Sequence, residues 1–438
     1  MTPAEPGFPR TAWSLDIPRH LYLTGPHPGA EDDEVSRPEG DEVSRIDPVP
    51  GSNRMKRAGR GSRSLDWAAG LAREVELRRR QGVGPGASFD SLHVGGPDSV
   101  APSPGDLIRF MELVGMSPDR GAEVALEVRP DEMDEVRVDG WIEAGVTRLS
   151  LRRPEVGVPV EWPTRLGLSR LTYWGVDVAF GIHRHGRDGG FQGPEGEGPE
   201  GEGAGGGAGN VRGSGTARDT SRPPPDPVGL LEAVIHRWAP PQVSLVEEVR
   251  VDGGGEARLQ ETDPEVQDRL ADLYLELTRR LDEAGYRQWS FTAFALPGSE
   301  PRHHRAVLQG ETYLGLGPGA HSHGQGRRFW NLDDPAAYFI RLGANLDPRA
   351  GSEILTPEER LLERLWGLLS LEQGLDLRGP GLHDARCIRD RWVATGLARS
   401  AGECVRLTPA GWLVMDTLIP ELAEGWPHDV APTEARFD

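Results

Sequence analysis

Cysteine is scarce. Two residues, Cys387 and Cys404, in 438 are too few for a disulfide framework. The N-terminus lacks the charged-then-apolar pattern of a secretory signal, and the apolar runs are too short to span a bilayer. Basic residues are also short of acidic ones, 49 against 69, for a formal charge of −20. That balance argues against nonspecific binding to nucleic acid or to an anionic membrane, so a polyanionic partner would need a local basic patch. The expectation is a soluble cytoplasmic protein with no nucleic-acid partner and no membrane insertion.

What is present is an alternation of strand-like apolar runs with helix-like periodic ones, the pattern of a parallel sheet with crossover helices. The strands read as HLYLT (20–24), FDSLHV (89–94), EVALEV (123–128), VTRLSL (146–151), GVDVAF (175–180) and VSLVEEVRV (243–251). Six parallel strands suit a partial barrel, and the fold class is α/β. After the last strand, Val266, Leu270, Leu273, Leu277, Leu281 and Ala284 recur at three- and four-residue steps, predicting a helix begun by Asp263 and Pro264 and ended by Gly285.

Two stretches break this pattern. Residues 27–63 are polar and contain DEVSR twice, and 186–225 are close to pure low complexity (GPEGEGPEGEGAGGGAGN). Both have too few apolar side chains to offset ordering entropy and are expected to be disordered, as is the N-terminus, 1–18. From 355 to 425 the pattern changes to a helix, a turn at Gly374, a second helix, a two-stranded hairpin turning at Gly402, and a closing helix begun by Thr408 and Pro409. That order resembles a winged helix. Without a basic stripe, a packing or docking role fits it better than DNA binding.

The stretch YLGLGPGAHSH (313–323) holds three glycines at alternate positions and two histidines. Its spacing does not fit a dinucleotide loop, and no helical pattern follows it. Together with the preceding AGYRQWSFTAFALPGSEPRHHRAVL it resembles the region after the barrel in the family of the heme chaperone HemW and oxygen-independent coproporphyrinogen III oxidase, where the text runs aGYxxYEiSNFAxPGxxSxHN, then YlGlGpGAhS. Upstream, SLHVGGPDSV resembles that family's GGGTPS block, and AGVTRLSL resembles aGvnRlSiGvQSf. GVDVAFG resembles vDLIyGLP. The resemblance covers most of the chain outside the two low-complexity stretches. It implies a partial (β/α)6 TIM-like radical S-adenosylmethionine barrel over 19–346 with a winged-helix-like unit at 355–425.

The family chemistry needs a [4Fe-4S] cluster held by three thiolates in CxxxCxxC, with the fourth iron open to S-adenosylmethionine. By the resemblance those cysteines would follow the first strand, where this chain has Pro28, Asp32 and Val35. The resemblance therefore implies loss of the cluster and of cosubstrate chemistry. Gly95, Gly96, Glu127 and Asp177 match cosubstrate-binding positions and form a vestigial site, while Pro97 and Pro154 replace the family's threonine and glutamine. As residues alone, the glycines also suit turns and the carboxylates suit caps.

His303 and His304 match the family's HN pair, and His321 its GAHS; His323 is an addition. Imidazoles ligate heme iron, but loop histidines are also commonly only hydrogen-bonded. The expectation is a non-catalytic heme-binding or heme-trafficking protein whose partners are heme and a heme-accepting protein. In that reading the four histidines gather at the barrel mouth, Trp289, Phe291 and Trp330 stack on the macrocycle, and Arg302, Arg327 or Arg328 pair with its propionates. The alternative is a partner-docking subunit. An active coproporphyrinogen III oxidase would require the missing thiolates.

Overall fold

The computed structural model describes residues 20–24, 67–96, 100–152, 162–180, 183–184, 227–247, 250–251, 264–324, 326–427 and 430–435. The stretches 1–18, 27–63 and 186–225, and Pro28, Asp32, Val35, Pro97 and Pro154, lie outside them.

Strands β1 (His20–Thr24), β2 (Ser88–Gly95), β3 (Ser117–Val128), β4 (Arg148–Leu151) and β5 (Tyr173–Phe180) are parallel neighbours in chain order. The two-residue strand β6 (His183–Arg184) pairs with β8 (Arg250–Val251), and between them β7 (Gln242–Glu247) lies parallel to β5. The run expected as one strand to Val251 is thus two. Crossovers are made by α1 (Trp67–Arg80), α2 (Pro104–Val114), α3 (Glu135–Glu143), α4 (Trp162–Arg165) and α5 (Pro227–Ala233), and α6 (Pro264–Glu283) follows β7. Six βα units make the α/β partial barrel that the alternation implied.

Strand alternation explains the two faces. On the helix-covered face Leu21, Leu23, Leu92, Val94, Leu126, Leu149, Val176 and Val243 are buried in one apolar core. The residues between them, Tyr22, His93, Glu127, Asp177 and Ser244, point to the opposite, inner face and are mostly polar. Helix α6 packs as its periodicity requires: Leu270, Leu277 and Leu281 are buried beside Tyr274, and Leu273 is half-buried.

The barrel does not close on itself. Next to β7 lies β10 (Ala293–Ala295), antiparallel to it, and beyond β10 lies β9 (Arg287–Ser290), antiparallel to β10. Next to β1, on the other edge, lies β11 (Tyr313–Leu316), a seventh parallel strand. After helix α7 (Arg302–Leu308) and β11, the antiparallel β12 (His321–Gly324), β13 (Arg327–Asn331) and β14 (Arg349–Ile354), with α8 (Pro335–Gly343), extend that edge to a sheet of twelve strands among the described residues. The glycine-rich stretch follows the last barrel strand along the chain, and in space its strand β11 pairs with the first, β1. Its glycines serve backbone approach: a Cβ on Gly315 would collide with the His321 carbonyl across the β11–β12 turn, and the Gly317 N–H donates to Glu74 Oε2 at 2.9 Å.

Helices α9 (Pro357–Leu369), α10 (His383–Ala394), α11 (Pro409–Leu413) and α12 (Met415–Glu424) surround a small sheet ordered β16 (Ala398–Ala401), β17 (Cys404–Leu407), β15 (Leu375–Asp376), β18 (Thr433–Glu434). Thr356 caps α9 in a capping box with Glu359. Leu365, Leu368, Trp392, Val405, Trp412 and Leu422 form a separate core. This unit is tied to the barrel through Glu434, which accepts from Arg305 at 3.3 Å and from Gln309 at 2.8 Å.

Candidate functional site in the barrel lumen

Deep in the lumen, β3, β4 and β7 present Glu123, Arg148 and Gln242, all buried. Arg148 donates from Nε to Glu123 Oε2 at 3.0 Å, from Nη1 to Gln242 Oε1 at 2.5 Å and from Nη2 to the Ser299 carbonyl at 3.0 Å. The Glu123 carboxylate also accepts the first N–H groups of α7, from Arg302 at 3.0 Å and His303 at 3.1 Å. Those N–H groups have no partner inside their own helix, so a carboxylate there satisfies them and favours the helix dipole. Burial pushes the Glu123 carboxyl up, but Arg148 and the two N–H donors outweigh it and hold it low.

This clamp delivers His303 and His304 into the lumen. His303 is 3 % exposed, with Nδ1 2.9 Å from Ser91 Oγ. It stacks on His93 at 5.3 Å between centroids, and His93 stacks in turn on Tyr22 at 5.6 Å. The His304 ring lies 4.8 Å from that of His93. His304 is exposed to solvent, yet burial and then His93 lower its pKa to about 4. It is a neutral imidazole at physiological pH, free of the proton that would block a metal bond.

Toward the strand ends, Glu127 Oε1 lies 3.0 Å from His93 Nε2, and Oε2 accepts the Gly96 N–H at 3.1 Å. Arg152 Nε is 3.7 Å from the same carboxylate, and its Nη1 donates to the Gly96 carbonyl. Burial alone would raise Glu127, but His93, the Gly96 N–H and Arg152 hold it at about 2. Asp177 moves the other way, to about 7, through burial and then the Glu127 charge, opposed by Arg152, Ser244 and His93. A Cβ on Gly95 would collide with the Glu127 carboxylate. The structure thus brings Gly95, Gly96, Glu127 and Asp177 together. Sequence reading missed Tyr22, His93 and Arg152; the signal was a polar residue at alternate positions of LYLT and SLHVG.

The four candidate heme histidines do not form one group. His321 and His323 sit on β12, where His321 stacks on Trp330 at 5.9 Å and His323 Nε2 lies 3.5 Å from Glu363. Trp330 therefore serves the outer sheet. Trp289 is buried against Leu371 beneath the C-terminal unit, and Phe291 packs on Tyr274. Arg328 pairs with Glu353 and Glu363, and Arg302 donates to the Gly121 carbonyl at 2.9 Å.

No family model matches the sequence. It is 33% identical over 156 residues to the heme chaperone HemW of Mycobacterium tuberculosis, a match covering 35% of this chain and 40% of that protein. To the heme chaperone HemW of Synechocystis it is 24% identical over 337 residues, 71% of this chain and 70% of that one. In three dimensions it matches the Escherichia coli coproporphyrinogen III oxidase HemN, a radical SAM enzyme, with a TM-score of 0.58 at 14% identity over 94% of this chain and 92% of that one. The chain is HemW-like in sequence and HemN-like in fold. The M. tuberculosis match spans less than half the length of that relative.

The donor set does not fit a [4Fe-4S] cluster of the radical SAM kind, which takes three thiolates. Cys387 is exposed on α10 and Cys404 is buried on β17, both in the C-terminal unit, and residues 1–386 contain no cysteine. Among the described residues no group of three or more His, Cys, Asp or Glu is arranged to hold a metal ion. Among them, too, no helix is long and apolar enough to cross a membrane.

Proposed function

We propose that this HemW-like chain is a cytoplasmic, non-catalytic heme-binding or heme-trafficking protein that takes heme at the barrel lumen and passes it to a heme-accepting protein. The observation that carries this reading is His304: a neutral imidazole, open to solvent, beside His93 in a lumen of polar side chains. In this reading His304 is the axial ligand, and His303 is the positioning residue that packs it against His93. His321 and His323, spent on Trp330 and Glu363, are not ligands. Hemin titration followed at the Soret band tests it. Wild type should bind; His304→Ala should lose about tenfold in affinity, equivalent to about 1.4 kcal/mol; the double variant His321→Ala/His323→Ala should bind as wild type does. Loss in the outer pair instead would move the site to β12. If wild type binds hemin no better than an unrelated acidic protein, the partner-docking reading replaces this one.

The same proposal holds that the radical reaction is absent. Anaerobic reconstitution with iron and sulfide should give no stoichiometric cluster and no 5′-deoxyadenosine from S-adenosylmethionine, because no thiolates stand at the mouth. Stoichiometric cluster with turnover would refute it.

A further inference from the structure

We propose that Arg152 is a resident cation of the barrel mouth, its guanidinium filling the place that a small organic cation would otherwise take between Glu127 and the Gly96 backbone. The inference does not rest on heme binding.

Three observations carry it. First, the recognition groups at this end of the lumen are anionic or electron-rich: the Glu127 carboxylate, the Asp177 carboxyl oxygens, the Gly96 carbonyl, and the stacked Tyr22 and His93 rings. Carboxylates, a carbonyl and aromatic faces together are the chemistry that receives a guanidinium, ammonium or sulfonium. Second, Arg152 answers that chemistry from within the chain. It donates to the Gly96 carbonyl, lies 3.7 Å from Glu127 Oε2, and its charge is felt at both Asp177 and Tyr22. With the Gly96 N–H given to Glu127, both backbone polar groups of Gly96 are engaged within the chain. Third, the guanidinium is held in place: Arg152 directly follows β4, its amide donating to the Val128 carbonyl at 2.8 Å, and its side chain is 15% exposed. In the motif resembling this stretch, aGvnRlSiGvQSf, the aligned position is a glycine, which has no side chain to fill the space.

Removing the side chain should leave an open anionic site faced by Tyr22 of β1, His93 of β2, Glu127 of β3, Asp177 of β5, Ser244 of β7 and His304 of α7. The test uses the full chain with Arg152→Ala, and binding of methylguanidinium and of S-adenosylmethionine measured by calorimetry and by the shift in thermal midpoint against matched sodium chloride. Wild type should bind neither, and the variant should gain methylguanidinium binding by about tenfold or more over wild type. Added binding of S-adenosylmethionine, itself a sulfonium cation, would support the proposal in the same way. Arg152→Lys, which keeps the charge, should stay closed. Should Arg152→Ala fail to fold, Arg152→Gln provides the same comparison. Wild type binding either cation as tightly as the variant overturns the proposal, and so does a folded variant that binds neither.

Discussion

Replacing Glu74 by alanine is expected to destabilise the protein by about 3–5 kcal/mol, the usual cost of breaking a buried charge pair from one side. Glu74 and Arg78 lie one turn apart on α1, and both are fully buried. Glu74 Oε1 accepts from Arg78 Nη2 at 2.7 Å and from Asn331 Nδ2 at 2.8 Å; Oε2 accepts from the Gly317 N–H and the Tyr338 hydroxyl. Arg78 also donates to Asn331 Oδ1 at 2.7 Å and to Asp347 Oδ1 at 3.1 Å, and its guanidinium lies 4.9 Å from the Phe329 ring centroid. One carboxylate therefore ties α1 to the glycine-rich turn, β13 and α8, all on the edge that β11 adds to β1. Alanine would leave Arg78 with Asp347 as its carboxylate partner and take the shared acceptor from the Gly317 N–H and the Tyr338 hydroxyl, whereas Glu74→Gln keeps two acceptor sites and should cost less. Urea unfolding followed by circular dichroism measures both. A change within about 0.5 kcal/mol for alanine, the size of an ordinary surface substitution, would mean that the network contributes little.

Asp177 should make the protein less stable as pH rises past neutrality. Its carboxyl is raised to about 7 in the folded chain, by burial and then by Glu127, from an ordinary value of 3.8. The folded state thus holds this proton more tightly than the unfolded state does. The contribution is fully present below about pH 4 and lost as pH rises through 7, amounting to about 4 kcal/mol at most. Water in the lumen reduces that figure. His304, lowered from 6.5 to about 4, acts in the opposite sense, its contribution being lost as pH falls from 6.5 through 4. The two oppose each other across that range, and above 6.5 the His304 contribution is constant while that of Asp177 still falls. Wild type should therefore be less stable at pH 8 than at pH 6.5. Asp177→Asn, which cannot ionise, should abolish the decline and exceed wild type at pH 8 by about 2–4 kcal/mol. A variant whose stability falls in parallel with wild type would show that another group titrates.

Much of the barrel was legible because its strands and helices obey local periodicities. β1 spans the five residues read as HLYLT, β5 overlaps GVDVAF, and α6 runs from Pro264 to Glu283, close to its predicted caps. The hairpin turning at Gly402 and the helix begun by Thr408 and Pro409 were equally local. The site was legible only in part. Gly95, Gly96, Glu127 and Asp177 came through the family resemblance, and the structure does bring them together. His93 and Arg152 complete the group, but each looks locally like an unremarkable polar residue beside apolar ones.

By itself, the sequence determined the alternation that makes one sheet face apolar and the other polar, and the lack of any cysteine before Cys387, because both depend only on which residues stand where. Tertiary structure decided which edge receives β11, and it separated His303 and His304, lodged in the lumen by Glu123, from His321 and His323 on the outer sheet. Those outcomes rest on contacts between residues far apart in the chain, Glu123 with His303 and Glu74 with Gly317. No local propensity encodes such pairings, since their free energy appears only when the strands are in register and water has been excluded from the groups they join.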